Sequence, residues 1–154
     1  MASRSALILG LGNLLMGDEG VGVHALRALR DARWPDGVAL VDGASGTFHL
    51  LARLQDFRRL IVIEGVEDGA PAGTVAFVPL DPEHLPRMLE RHDVGLRDLV
   101  ESAALLGPLP EIELLSVSIG PSRELSMHLS PPVAAAIPRV REALQLRLER
   151  TVAS

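Results

Sequence analysis

The stretch Ala6-Leu7-Ile8-Leu9-Gly10-Leu11-Gly12-Asn13-Leu14-Leu15-Met16-Gly17-Asp18-Glu19-Gly20-Val21-Gly22 constrains this chain more than any other. It opens with an apolar run of the length a buried strand has, and two glycines follow at once. Gly10 and Gly12 allow a tight turn and the close approach of a second group. Asp18 is placed to cap a helix whose inward face carries Ala25, Leu26 and Leu29. Glu19 then falls in the first turn of that helix, where the positive helix end stabilises a carboxylate. The predicted unit is strand, turn and helix with an acid at its apex.

A dinucleotide fingerprint is the obvious reading of Gly10-Leu11-Gly12, and it does not fit. The third glycine of that motif would fall at Leu15, and the helix should begin sooner. Asp42 also comes later than the ribose-binding acid expected about 20 positions on. A nucleotide-binding module is therefore the weaker alternative, and no nucleotide cofactor is expected.

With 154 residues, 47% of them hydrophobic, the chain suits a single domain, residues 1–154, with an adequate core. A net charge of −5 without a basic cluster argues against a nucleic-acid partner. Cysteine is absent, which removes disulfides, thiolate ligands and a cysteine nucleophile and fits a reducing compartment. The apolar start lacks a small-residue cleavage site and meets Asp18-Glu19 directly, so it is not read as a signal peptide. No apolar run approaches the roughly 20 residues of a membrane span. The expectation is a soluble, cytoplasmic protein with no membrane partner. Its charged outer faces show no large self-association patch, so a monomer is expected.

Further along, Trp34-Pro35-Asp36-Gly37 is a turn, and residues 38–41 form a second buried-type strand ending in Asp42-Gly43. Thr47 is placed to cap a helix through Phe57, with Phe48, Leu51 and Leu54 on one stripe. Residues 60–63 form a third strand that runs into Glu64-Gly65. The turn Ala70-Pro71-Ala72-Gly73 leads to a fourth, 74–78, and the short link predicts a hairpin with an antiparallel edge strand. Pro82 opens a short helix to about Arg91, and a second helix covers 96–106. Residues 112–119 are the last strand. Ser130-Pro131 begins the last helix, which runs to about Glu149, and Pro138 predicts a kink or a late true start.

This alternation predicts an α/β fold: a three-layer α/β/α sandwich on a mostly parallel five-stranded sheet with one antiparallel edge strand. In such sheets ligands bind beyond the carboxyl ends of the strands, where strand order reverses. Glu19, Asp42 and Glu64 each follow a predicted strand, so neighbouring strands would place all three on one rim.

No Gly-x-Ser-x-Gly elbow and no His-Glu-x-x-His is present. What remains is a rim of carboxylates, which raise each other's pKa or bind a cation. A histidine nearby would complete a nitrogen and oxygen site suited to a first-row metal such as nickel or zinc. His24 and His49 lie within predicted helices next to core positions and read as structural. His84 sits on a short surface helix, and His128, after the last strand, is a second candidate. His92 lies in Arg91-His92-Asp93-Val94-Gly95-Leu96, a break between helices where function often resides. By spacing alone His92 reads more readily as a solvated loop residue than as a ligand.

Taken together, Gly10-Leu11-Gly12-Asn13, Gly17-Asp18-Glu19-Gly20-Val21-Gly22, Asp42-Gly43 and His92-Asp93-Val94-Gly95-Leu96 resemble the hydrogenase maturation endopeptidases. The likeness spans nearly the whole chain, including Leu129-Ser130-Pro131. Peptidyl-tRNA hydrolases share the Gly-Leu-Gly-Asn strand end, but the His-Asn pattern that follows in them is missing here. The resemblance implies removal of a C-terminal extension from the large-subunit precursor of a nickel–iron hydrogenase after nickel insertion. By that likeness the metal ligands map onto Glu19, Glu64 and His92, with nickel supplied by the precursor. Nickel would serve as recognition element, position the scissile bond and polarise a water or the carbonyl. Where Glu64 stands the family usually has aspartate; the extra methylene requires the carboxylate to retract or bind differently. Asp42 is assigned a catalytic part as a supporting acid, against the alternative of a turn residue capping Gly43-Ala44. Asp18 reads as a helix cap and Asn13 as a loop-stabilising side chain. Glu64 also keeps open a non-catalytic paralogue that binds the precursor without cutting it.

Overall fold

The computed structural model describes residues 4–43, 53–79, 94–121 and 124–153. In chain order they form β1 (Arg4–Gly10), α1 (Val21–Leu29), β2 (Val38–Asp42), β3 (Phe57–Val66), β4 (Val75–Pro79), α2 (Val94–Leu106), β5 (Glu111–Ser118), α3 (Pro131–Ala134) and α4 (Ile137–Ala153). Short 3₁₀ turns occupy Gly17–Gly20 and Leu54–Asp56. The strands make one five-stranded sheet in the order β2-β1-β3-β5-β4, parallel throughout except for β4, which runs antiparallel to β5. A mostly parallel sheet with one antiparallel edge is thus what the alternation of apolar runs predicts.

Continuous apolar runs, not alternating ones, form the central strands because both of their faces are covered. Ala6 and Ile8 of β1, Ile61 and Ile63 of β3, and Leu115 and Val117 of β5 join α1 and α4 in one cluster. The intervening Leu7, Leu9, Leu60, Val62, Ile112 and Leu114 join Val100 and Ala103 of α2 in another. Period-two alternation along each strand therefore sorts the two sets to opposite faces of the sheet. Ala25, Leu26 and Leu29 of α1 are buried, as their stripe predicts.

Four details differ from the sequence reading. β4 is at the edge and antiparallel, but it does not form a hairpin with β3, because β5 lies between them. Leu60, Ile61, Val62 and Ile63 are buried on both faces, so β3 is interior and needs a partner on each edge; β1 and β5 supply them. The link from β3 to β4 instead passes over the end of β5, where Gly73 N donates to Ser118 O and Ser118 N donates to Thr74 O. The helix expected through Phe57 does not reach it: Leu54–Asp56 is a single 3₁₀ turn and Phe57 opens β3. β3 also extends through Glu64, which lies within the strand and not after it. Finally, α1 begins at Val21, its N-cap position is Gly20, and Asp18 belongs to the preceding 3₁₀ turn. The helix expected from Pro82, the start of the helix expected at Thr47, and His49, His84 and His92 lie outside the described residues.

Pro138 marks a late start, as its ring requires: α3 stops at Ala134 and α4 begins at Ile137. Among the described residues no helix is long and apolar enough to cross a membrane.

Candidate active site

Strand order reverses between β1 and β3: the chain leaves β1 for β2 on one side and later returns to β3 on the other. In an open parallel sheet that switch leaves a crevice beyond the carboxyl ends of the strands, and ligands occupy it. The motif of residues 10–22 builds one wall of that crevice. Leu11 N donates to Ile63 O at 3.0 Å, carrying the β1–β3 pairing one residue past the strand. Gly12 has φ +140, and a side chain there would strike the carbonyl oxygen of Glu19. The chain then folds back on itself: Asn13 Oδ1 accepts from Leu15 N at 3.0 Å, and Asn13 O accepts from Met16 N at 3.1 Å. Asn13 thus stabilises the loop as expected.

Gly22, in the first turn of α1, lies directly against the carbonyl oxygens of Leu11 and Ile63, with no room for a Cβ. The glycines of the motif are accordingly taken up by helix–strand packing. The 3₁₀ turn carrying Glu19 rests on β3: a Cβ on Gly65 would stand 3.1 Å from Asp18 O. Glu19 is half-buried, and its turn lies beside the residue that follows Glu64.

Glu64 is only 6% exposed and pairs in register with Ser116 of β5. It falls between Val62 and Val66, both of which pack with the α2 cluster, so its side chain projects to that face. Asp42 sits one level lower, opposite Gly10, and on the other face. It is 4% exposed and accepts from Arg27 Nε at 2.9 Å, with Arg30 Nη2 at 3.8 Å. The three acids share the carboxyl rim of three adjacent strands, yet Asp42 is paired to α1 while Glu64 lies on the opposite side. Among the described residues no three His, Asp or Glu side chains gather as a metal cluster; His92, the third member of the expected set, lies outside them.

Asp18 has a role that local spacing could not reveal. Its Oδ1 accepts from Ser130 N at 2.7 Å and its Oδ2 from Ser130 Oγ at 2.6 Å. Both partners belong to the residue preceding α3, so the carboxylate ties the far end of the chain to the turn that carries Glu19. Nearby, Gly17 N donates to Ser126 O at 2.7 Å and Ser126 N to Leu15 O at 2.9 Å. On the outer side of β3, Ser118 Oγ donates to Asp68 Oδ2 at 3.1 Å.

The described histidines are His24, on α1, and His128, ahead of α3. Burial, helped by the neighbouring charges of Arg27 and His128, lowers the His24 pKa below its ordinary value. Its Nε2 is buried and makes no hydrogen bond, which accords with a neutral ring.

Chemically, the crevice offers carboxylate oxygens held by rigid elements at the end of a buried sheet, a setting suited to a divalent cation. Known proteins share this architecture. The sequence profile described as hydrogenase maturation protease matches residues 23–146. The hydrogenase expression/formation protein HoxM of Azotobacter vinelandii is 36% identical over 99% of this chain and 76% of its own length. HupD of Thiocapsa roseopersicina is 32% identical over 93% of this chain and 66% of its own. Among solved structures, the hydrogenase maturating endopeptidase HybD of Escherichia coli superposes with a TM-score of 0.79 at 28% identity, covering 96% of this chain and 93% of that one. A hydrogenase 2 maturation peptidase from a Thaumarchaeota archaeon gives a TM-score of 0.70 at 29% identity, covering 94% and 98%.

Proposed function

The chain belongs to the hydrogenase maturation proteases, and from that membership we propose that it removes a C-terminal extension from a nickel-loaded hydrogenase large-subunit precursor. Glu19, Glu64 and His92 grip nickel that arrives bound to the precursor, so the metal is part of the substrate. The observation that carries this reading is Glu64, a buried acid in β3 at the strand-order switch, one residue before Gly65, against which the turn carrying Glu19 rests. Carboxylates with an imidazole suit a first-row divalent ion.

Held there, nickel fixes the scissile bond relative to the rim and polarises its carbonyl or an attacking water. Glu64 compensates for its extra methylene by position: it projects from within β3, where its backbone pairs in register with Ser116 of β5. Asp42 acts as the supporting acid, held by Arg27 on the α1 face. The absence of cysteine accords with processing in the reducing cytoplasm by a monomer.

Incubating the purified protein with nickel-loaded precursor tests the reading by mass spectrometry. The expected result is loss of the C-terminal extension with nickel-loaded precursor and none with nickel-free precursor. A stable complex of unchanged mass would overturn cleavage, and cleavage indifferent to nickel would overturn the metal-recognition role.

A further inference from the structure

We propose that residues 130–139 form a bracket that sets the spacing between Glu19 and Glu64, with Arg139 as a positioning residue at its far end. The two acids belong to separate pieces of chain: Glu19 to the 3₁₀ turn after β1, Glu64 to β3. These pieces meet directly at Gly65, where the missing side chain lets Asp18 O approach. A second connection runs through the start of the last helices.

At one end of the bracket, Ser130 donates from N and Oγ to the Asp18 carboxylate and so holds the turn of Glu19. At the other, Arg139 Nη2 donates to Gly73 O at 2.7 Å. Gly73 is itself bound to the end of β5: its N donates to Ser118 O at 2.8 Å, and Ser118 N donates to Thr74 O at 2.8 Å. Ser118 pairs with Val66 of β3, and Ser116, two residues earlier, pairs with Glu64. Arg139 is thus joined to the strand of Glu64 through the backbone of the sheet.

The stretch between the two ends is stiff. α3 opens with Pro131 and Pro132, whose rings fix φ, and Ala134 N donates to Ser130 O. Val133, Ala136 and Val140 are wholly buried in the sheet cluster. Gly73, with φ +91, lies so close to the carbonyl oxygen of Pro132 that a side chain has no room. Close-packed elements transmit a displacement rather than absorb it, so moving one end shifts the other. Arg139 also stands in the first turn of α4, where the positive helix end disfavours a cation. Its charge-assisted bond to Gly73 O offsets that cost.

Ligands from two units grip a metal only when held to within about 0.5 Å of the productive geometry. This inference therefore rests on the metal-recognition reading and specifies what keeps its two glutamates at their distance.

Two readouts test it. Amide exchange is measured in Arg139→Met and in Ser130→Ala, and each is expected to speed exchange about fivefold at the opposite end of the bracket. The reporting amides are Gly17 and Glu19, bonded to Ser126 O and Met16 O, when Arg139 is changed, and Gly73 when Ser130 is changed. Binding of nickel-loaded and nickel-free precursor is then compared. The preference for the loaded form is expected to fall about tenfold in Arg139→Met, with binding of the nickel-free form unchanged, and to return in Arg139→Lys, which still donates to Gly73 O. Faster exchange confined to the altered end overturns the bracket and leaves cleavage standing. So does an intact preference in Arg139→Met, even with a lowered melting temperature, since that marks a merely structural contact. Should the wild type itself show no preference for the loaded precursor, the metal reading falls and exchange alone decides the bracket. If Arg139→Met does not fold, Ser130→Ala supplies both readouts.

Discussion

Asp18 accepts two hydrogen bonds from Ser130 and so fixes the turn that also carries Glu19. Asp18→Asn keeps the shape but removes the charge from both bonds. It is expected to cost about 1–3 kcal/mol in denaturant unfolding and to lower kcat/KM through the displaced turn. Glu19 and Glu64 could be read from the chain, because each acid closes a local signal of apolar run and glycine. The Asp18 clamp could not: its partner is 112 residues away, and a helix cap was the natural local reading. Asp42 was legible as a rim acid, but not as the partner of Arg27, since strand alternation across a parallel register decides its face. His24 gives a pH test. Its folded pKa lies below the ordinary 6.5, so the folded state favours the neutral ring. The stability this contributes is present above about pH 6.5 and is lost as pH falls through the lowered folded value. Melting temperature measured downward from pH 7.5 should therefore fall less in His24→Gln than in the wild type.

At the scale of elements, burial separates the strands into two classes. β1 and β3 are interior, with Ala6, Ile8, Leu60 and Ile63 wholly enclosed, whereas β4 lies at the edge and ends in Pro79. Hydrogen exchange is expected to be slowest in β1 and β3, at the free energy of global unfolding, and faster in β4; equal rates would contradict this division. The apolar runs made these strands legible, and Pro138 made the break between α3 and α4 legible as well. Pairing partners were less so. A short link between β3 and β4 predicts a hairpin locally, but the need of β3 for a neighbour on each edge is a property of the sheet and draws β5 between them. Likewise the stripe ending at Phe57 reads as helix, although Phe57 contributes more as the first residue of a long interior strand.

For the molecule as a whole, the strand-order switch brings the turn that follows β1 against the end of β3. Turn, helix start and strand end meet where Gly22 has no side chain, so α1 and β3 are held at contact distance. The borders of the sheet carry a different consequence. β2 and β4, its outermost strands, are five residues each. Borders so brief give neighbouring copies little to zip onto. Concentrated or overproduced protein should consequently resist growing into ribbons of stacked sheets, even though nearly half of its residues are hydrophobic.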